Sequence, residues 1–189
     1  MQNILIIEEK GGSGKTTICS ELVGSFKRTG TPSAFYDLDG QGGTLFEPYA
    51  DDDAVVSVID TPGSIQDRMG VWVSSANVVI IPTRCSQYDI PSFMRTLEIY
   101  KANRKKKCKL FIVLNQFTRW RSSTEFMEGI RKQNTGAEIL TLPQSEIFLQ
   151  AGMEQMTVID YRPRSDAAKS CLALINTVRK AVKLPEEII

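Results

Sequence analysis

Residues 10 to 17 read Lys10-Gly11-Gly12-Ser13-Gly14-Lys15-Thr16-Thr17. Glycines here let the backbone curl so that successive N–H groups, from Gly11, Gly12, Ser13 and Gly14, converge on one anion. The stretch follows an apolar run, Ile4–Ile7, and opens a helical pattern, so a helix dipole would act at the same point. Lys15 could reach the β and γ phosphates of a bound nucleotide. The Thr16 hydroxyl could ligate Mg²⁺, and Thr17 could donate to the α phosphate. Two acidic segments end apolar runs: Asp37-Leu38-Asp39-Gly40-Gln41-Gly42 and Val58-Ile59-Asp60-Thr61-Pro62-Gly63. Mg²⁺ takes hard oxygen ligands and keeps several waters, which a hydroxyl and carboxylates suit. The chain has no histidine, which excludes an imidazole base or ligand.

These residues need strands that end together and helices that begin there. Apolar runs predict strands at Ile4–Ile7, Ala34–Leu38, Val55–Ile59, Val78–Ile81, Leu110–Leu114 and Glu138–Leu142. Segments of helical length lie between them: Thr16–Arg28, Ile65–Ser75, Ile90–Asn103 and Ser122–Gln133. A last helix is expected from about Ser165 to Val182, where Leu172, Ile175, Val178 and Val182 recur at helical spacing. Strands apolar on both faces, alternating with helices, predict an α/β fold: a mainly parallel twisted sheet with helices on both faces. At 189 residues the chain is expected to form one domain over 1–184, with 185–189 a loose tail.

The phosphate loop departs from the common G-x-x-x-x-G-K-[ST] pattern, which wants glycine where Glu9 stands. A lysine, Lys10, followed by two glycines resembles the deviant Walker A loop of the ParA/MinD family of P-loop ATPases. In that family the first lysine crosses a dimer interface to the phosphates of the partner's ATP, and Lys10 matches it. A carboxylate at Glu9 would repel phosphate, so it is expected to point away. The resemblance extends along the chain to about Val182. Asp37–Gly42 resembles the family's D-x-D-P-Q-G segment, with Gly40 for proline. This implies that Asp39 lies near Mg²⁺ and the attacking water, supported by Asp37. The apolar run ending in Asp60 resembles a Walker B strand, which implies that Asp60 holds Mg²⁺ through water. Val78-Val79-Ile80-Ile81-Pro82-Thr83, with Tyr88 after it, and Tyr161-Arg162-Pro163-Arg164-Ser165 resemble further family segments, Arg162 replacing an acid. Asn115 and Pro143, at two later strand ends, match positions near adenine. No N-K-x-D guanine signature occurs, so ATP is favoured over GTP.

The resemblance implies a homodimer closed by ATP and Mg²⁺, with slow, partner-stimulated ATPase activity in which Lys10, Lys15 and Asp39 act. It is closest to small plasmid-type ParA proteins. Their expected partners are a ParB-type adaptor at a centromere-like site and non-specific DNA. With 23 Lys+Arg against 22 Asp+Glu, DNA contact must come from a local patch. The expected residues are Arg104, Lys105, Lys106 and Lys107, with Lys109 beside them, and Arg119 and Arg121 around Trp120. Arg164, Arg179, Lys180 and Lys183 are further cations. Ile147 stands where related proteins carry a DNA-binding arginine. Two alternatives are a switch that positions a non-DNA cargo and an ATP-dependent small-molecule ligase of the same superfamily. No apolar run reaches the roughly 18 residues of a membrane span, and a cytoplasmic, nucleoid-associated protein is expected. The four scattered cysteines, Cys19, Cys85, Cys108 and Cys171, read as free thiols.

Overall fold

Successive side chains of a strand face opposite ways, and the central strands of this chain are apolar on both faces. The computed structural model describes residues 1–39, 43–63 and 66–189. Its strands are β1 (Gln2–Ile6), β2 (Ser33–Asp37), β3 (Tyr49–Ala50), β4 (Val56–Asp60), β5 (Val78–Arg84), β6 (Lys109–Phe117) and β7 (Glu138–Pro143). The helices are α1 (Lys15–Arg28), α2 (Gln66–Ser75), α3 (Ile90–Asn103), α4 (Arg121–Lys132), α5 (Ile147–Met153), α6 (Val158–Tyr161) and α7 (Asp166–Ala181). The strands form one sheet in the order β3-β2-β4-β1-β5-β6-β7. All neighbours are parallel except β3, which pairs antiparallel with β2.

Strand alternation divides the core into two layers. Ile4 and Ile6 of β1, Val78 and Ile80 of β5, and Phe111 and Val113 of β6 pack towards α1 and α7. Leu5 and Ile7, Val79 and Ile81, and Ile112 and Leu114 pack on the other face with residues of α2, α3 and α4. On α1, Ile18, Leu22 and Phe26 recur every four residues and are at most 1% exposed. Each such side chain contributes roughly 1.5–3 kcal/mol by leaving water.

All the expected strands and helices form, with ends shifted by a few residues. The strands β5 and β6 run on beyond Ile81 and Leu114, to Arg84 and Phe117, because each is paired along its length with a neighbour. The proposed helix start at Ile65, and Gly40, Gln41 and Gly42 of the acidic segment, lie outside the described residues. Three short elements carry no periodic pattern and escaped the reading: the two-residue edge strand β3, the seven-residue α5 and the four-residue α6. The helix α6 depends on a distant group, since the Glu21 carboxylate of α1 accepts the Val158 N–H at 2.6 Å.

The tail is a correction. Residues 185–189 have no helix or strand, and Ile188 and Ile189 are exposed, but the segment is held at Pro185 and Glu187. Glu187 is 4% exposed. Its carboxylate accepts Arg28 Nε at 2.6 Å, and its backbone exchanges two bonds with the Asn176 amide. Arg179 is a second correction: it is 2% exposed and offers no cation to a ligand surface. Its guanidinium donates to the Pro185 carbonyl, Ser25 Oγ and Thr29 Oγ1, tying α7 to α1 and the tail. Glu187→Ala is therefore expected to destabilise the fold by about 2–3 kcal/mol, seen as a lower urea midpoint, because it strips a half-buried guanidinium of its main partner. Asp160, 3.0 Å from Arg28 Nη1, limits the loss.

Candidate functional site

The central strand β1 lies between β4 and β5, where the strand order changes direction, so the loop after it opens at the carboxyl edge of the sheet. That loop runs directly into α1 at Lys15. Gly14 has φ 106°, and a Cβ there would lie 2.3 Å from Asn115 Nδ2. Any other residue would strain the loop and displace the Asn115 side chain.

A cavity of ≈ 540 Å³ sits against this loop. Gly11, Gly12, Gly14, Lys15, Thr16 and Thr17 line it, and Asp39, Gly63 and Asn115 face them. Ser13 is 2% exposed and contributes backbone, its carbonyl accepting Asn115 Nδ2 at 2.9 Å. Gly63 meets the loop closely: a Cβ there would stand 2.7 Å from the Glu9 carbonyl oxygen. A second cavity of ≈ 340 Å³ shares Thr17, Asn115 and Gln116 and is closed by Pro143 and Phe148. Asn115 also accepts the Gln116 N–H through Oδ1. Its amide thus braces the phosphate loop and keeps one N–H for a ligand. The two cavities thus share a wall and together run from the phosphate loop to Pro143.

Of the acidic residues, Asp39 lines the cavity, and Asp60 lies behind Thr16. Asp60, at the end of β4, is fully buried and accepts Thr16 Oγ1 at 3.0 Å. Its other oxygen, Oδ1, has no partner. Burial pushes the carboxyl up from its ordinary range, against the Thr16 hydrogen bond and the charge of Lys15. An orphaned carboxylate oxygen beside a hydroxyl and an open cavity fits Mg²⁺, which binds few protein groups and relies on phosphate and water. Among the described residues no group of three or more His, Cys, Asp or Glu could hold a metal alone. Asp37 Oδ1 accepts the Asp39 N–H at 2.9 Å, which directs Asp39 to the cavity.

Of the three residues leading into the loop, Glu9 and Lys10 are tied to α3 or the turn before it, and Glu8 accepts the Lys10 N–H. Glu9, expected to point away, is among the residues lining the cavity; its Oε2 accepts Arg95 Nε at 2.7 Å, while Oε1 is buried without a partner. Lys10 does not line the cavity of its own chain. Its ammonium group is paired with Asp89 and donates to the Tyr88 carbonyl at 3.1 Å. Glu8 is 1% exposed, and burial raises its carboxyl from the ordinary 4.5 to about 7, partly offset by the Lys10 N–H. Sequence reasoning missed Asp89, Arg84 and Arg95. Asp89, just before Ile90-Pro91, reads as a helix cap, and no local pattern places it beside Lys10.

Glu8 also carries a pH signature. Its folded pKa lies above its unfolded one, so between them the native state binds the extra proton. The contribution of Glu8 to stability is therefore full below about pH 4.5 and declines until about pH 7. Glu8→Gln, which keeps an acceptor for the Lys10 N–H, is expected to raise stability by on the order of 2–3 kcal/mol at pH 8 and very little at pH 4.5. Thermal melts at the two pH values check this.

The basic residues do not form one patch. Arg104–Lys107 precede β6, at the amino edge of the sheet, and Lys105 Nζ bonds the Ser75 carbonyl at 2.7 Å. Arg119 and Arg121 follow β6, at the carboxyl edge with the phosphate loop, around Trp120, which is 72% exposed. Nine residues of strand separate the two sets. Arg121 is paired with Glu125. Arg164, Lys180 and Lys183 are exposed. Leu149 and Met153, one turn apart on α5, are exposed apolar residues beside the nucleotide edge.

A parallel α/β sheet with this loop at its switch point defines a P-loop nucleotide-binding protein. Residues 4–158 match the model of the CobQ/CobB/MinD/ParA nucleotide binding domain, and the chain belongs to that family of ATPases. Its fold is similar to that of a Cyanothece McdA variant in complex with ATP (TM-score 0.78, 16% identity, covering 100% of this chain and 99% of that one). It is also similar to septum site-determining protein MinD of Pyrococcus horikoshii OT3 with Mg-ADP (0.68, 18%, 95% and 96%). A putative plasmid partition protein of Borrelia burgdorferi B31 bound to AMPPNP is a third (0.67, 14%, 95% and 99%). None of the curated protein sequences compared matches the chain significantly. No helix among the described residues is long and apolar enough to cross a membrane.

Proposed function

We propose that this ATPase is a dimerising switch of slow turnover that acts in plasmid or chromosome DNA partitioning in the cytoplasm, bound to the nucleoid. The observation that carries the reading is the placement of Lys10. It stands at the mouth of the phosphate loop, 31% exposed in its side chain, and outside the cavity its own chain provides. A cation so placed can serve the triphosphate of a second copy once it leaves Asp89. Two triphosphates between subunits concentrate negative charge, which Lys15 offsets in cis and Lys10 in trans. Thr16 and Asp60 would hold Mg²⁺, and the backbone of Gly11–Gly14 and the Thr17 hydroxyl would position the phosphates. Bound magnesium would supply charge neutralisation there. Asp39 orients the attacking water, and Asn115 and Pro143 border the base.

Arg119, Trp120 and Arg121 stand at the carboxyl edge of the sheet with the phosphate loop, the edge a closing second copy would meet. That favours them as the DNA contact over Arg104–Lys107 at the far edge, since only a surface near the closing face responds to ATP. A ParB-type adaptor would stimulate hydrolysis and reopen the dimer. The split basic set supports a second reading, the same switch working on a non-DNA cargo. Both are tested by retention on non-specific DNA and sedimentation with liposomes, each with ATP, ADP and no nucleotide. DNA retention with ATP alone is expected. Nucleotide-independent retention contradicts a switch, and ATP-dependent dimers indifferent to DNA favour the second reading.

A further inference from the structure

Asp89 carries two cations at once. It is 2% exposed and sits in the turn between β5 and α3. Lys10 pairs with Oδ1. Arg84, the last residue of β5, donates Nε to Oδ2 at 2.8 Å and Nη2 to Oδ1 at 3.3 Å. Lys10 and Arg84 stay partly in water, with side chains 31% and 34% exposed, while the carboxylate between them is 3% exposed. Burial would raise this carboxyl, but Arg84 and Lys10 together hold it below the ordinary range.

A buried carboxylate with a single cation is a trap, because releasing that cation strands a desolvated charge. With two cations either can leave. Arg84 is suited to stay, since its planar fork already spans both oxygens. We infer that Arg84 is a stand-by counter-ion for Asp89, a positioning residue that lets Lys10 leave for the triphosphate of a second subunit. The inference rests on the reading of Lys10 as a cation given in trans. Removing Arg84 then locks Lys10 onto Asp89 and opposes dimer closure. Removing the Asp89 charge frees Lys10 and favours closure. Arg95, the next cation along α3, is committed to Glu9 and cannot substitute. The turn itself does not need the ion pairs. The Asp89 N–H donates to the Ser86 carbonyl at 2.9 Å, and the Asp89 carbonyl accepts the Phe93 N–H at 3.0 Å.

The test is sedimentation velocity of the full chain with ATP and Mg²⁺ over a protein dilution series. A fluorescent ATP analogue measures monomer affinity in parallel. Arg84→Gln is expected to raise the dimer dissociation constant by about tenfold, Asp89→Asn to lower it, and neither to change monomer affinity. Arg84→Gln should have no effect in the Asp89→Asn background, and Arg84→Lys should recover part of the loss. A loosened turn would move both single variants in the same direction; that result, or an Arg84→Gln defect that persists without the Asp89 charge, overturns the inference. Lys10→Ala separates the layers. If it dimerises like the wild type, the trans reading of Lys10 is wrong. If it fails to dimerise while Arg84→Gln is silent, only the role of Arg84 is lost.

Discussion

Lys15→Ala is expected to weaken ATP binding by about a hundredfold or more and to leave the melting temperature nearly unchanged. The side chain opens α1, is 6% exposed, and lines the phosphate cavity. None of the ion pairs found among the described residues includes it. Its charge is thus held in a desolvated place without a committed partner, where an anionic ligand gains most from it. Loss of two charge-assisted bonds to phosphate, each about 1.5–3 kcal/mol, accounts for the size of the effect. Asp60 also loses the charge that lowers its carboxyl. Calorimetric titration of ATP, alongside a thermal melt, gives both numbers. An unchanged affinity would remove the phosphate loop from the mechanism.

Lys10→Ala is expected to do something different. Monomer ATP affinity should stay within about threefold of wild type, because the ammonium group contributes nothing to the cavity of its own chain. ATP-dependent dimerisation, and with it DNA retention, should fall by about a hundredfold or more, since each dimer loses two cations facing desolvated phosphate. Some of this loss is offset in the variant, because Asp89 keeps Arg84. The contrast between the two lysines is the informative quantity. Equal loss of monomer ATP binding in both variants would place Lys10 in cis and remove the basis for a trans cation.

Much of the site could be read from the sequence because it is local. Lys10 to Thr17 lie within eight residues, between an apolar strand and a helix, and a backbone anion site needs no more than that. Asp37, Asp39 and Asp60 were legible for a related reason: in a parallel sheet, strand ends meet at one edge whatever the intervening loops do. The two-sided apolar runs of β1, β5 and β6 settled the layer architecture. The short elements between β7 and α7 were not legible. A seven-residue helix spans two turns and leaves no period to detect, and α6 is held by a carboxylate 137 residues away.

What the sequence determined by itself was the class of chemistry and the scaffold that must present it, since both follow from spacing and polarity within short windows. The tertiary structure alone decided which charges are spent and which are free. Lys10 and Asp89 meet across 79 residues. Arg179 is a core bond and not a surface cation, Glu187 pins an end that reads as loose, and the two basic sets stand at opposite ends of β6. Charge counts cannot reveal any of this, because the worth of a charge depends on its desolvation and its partner, and both are set by residues distant in the chain.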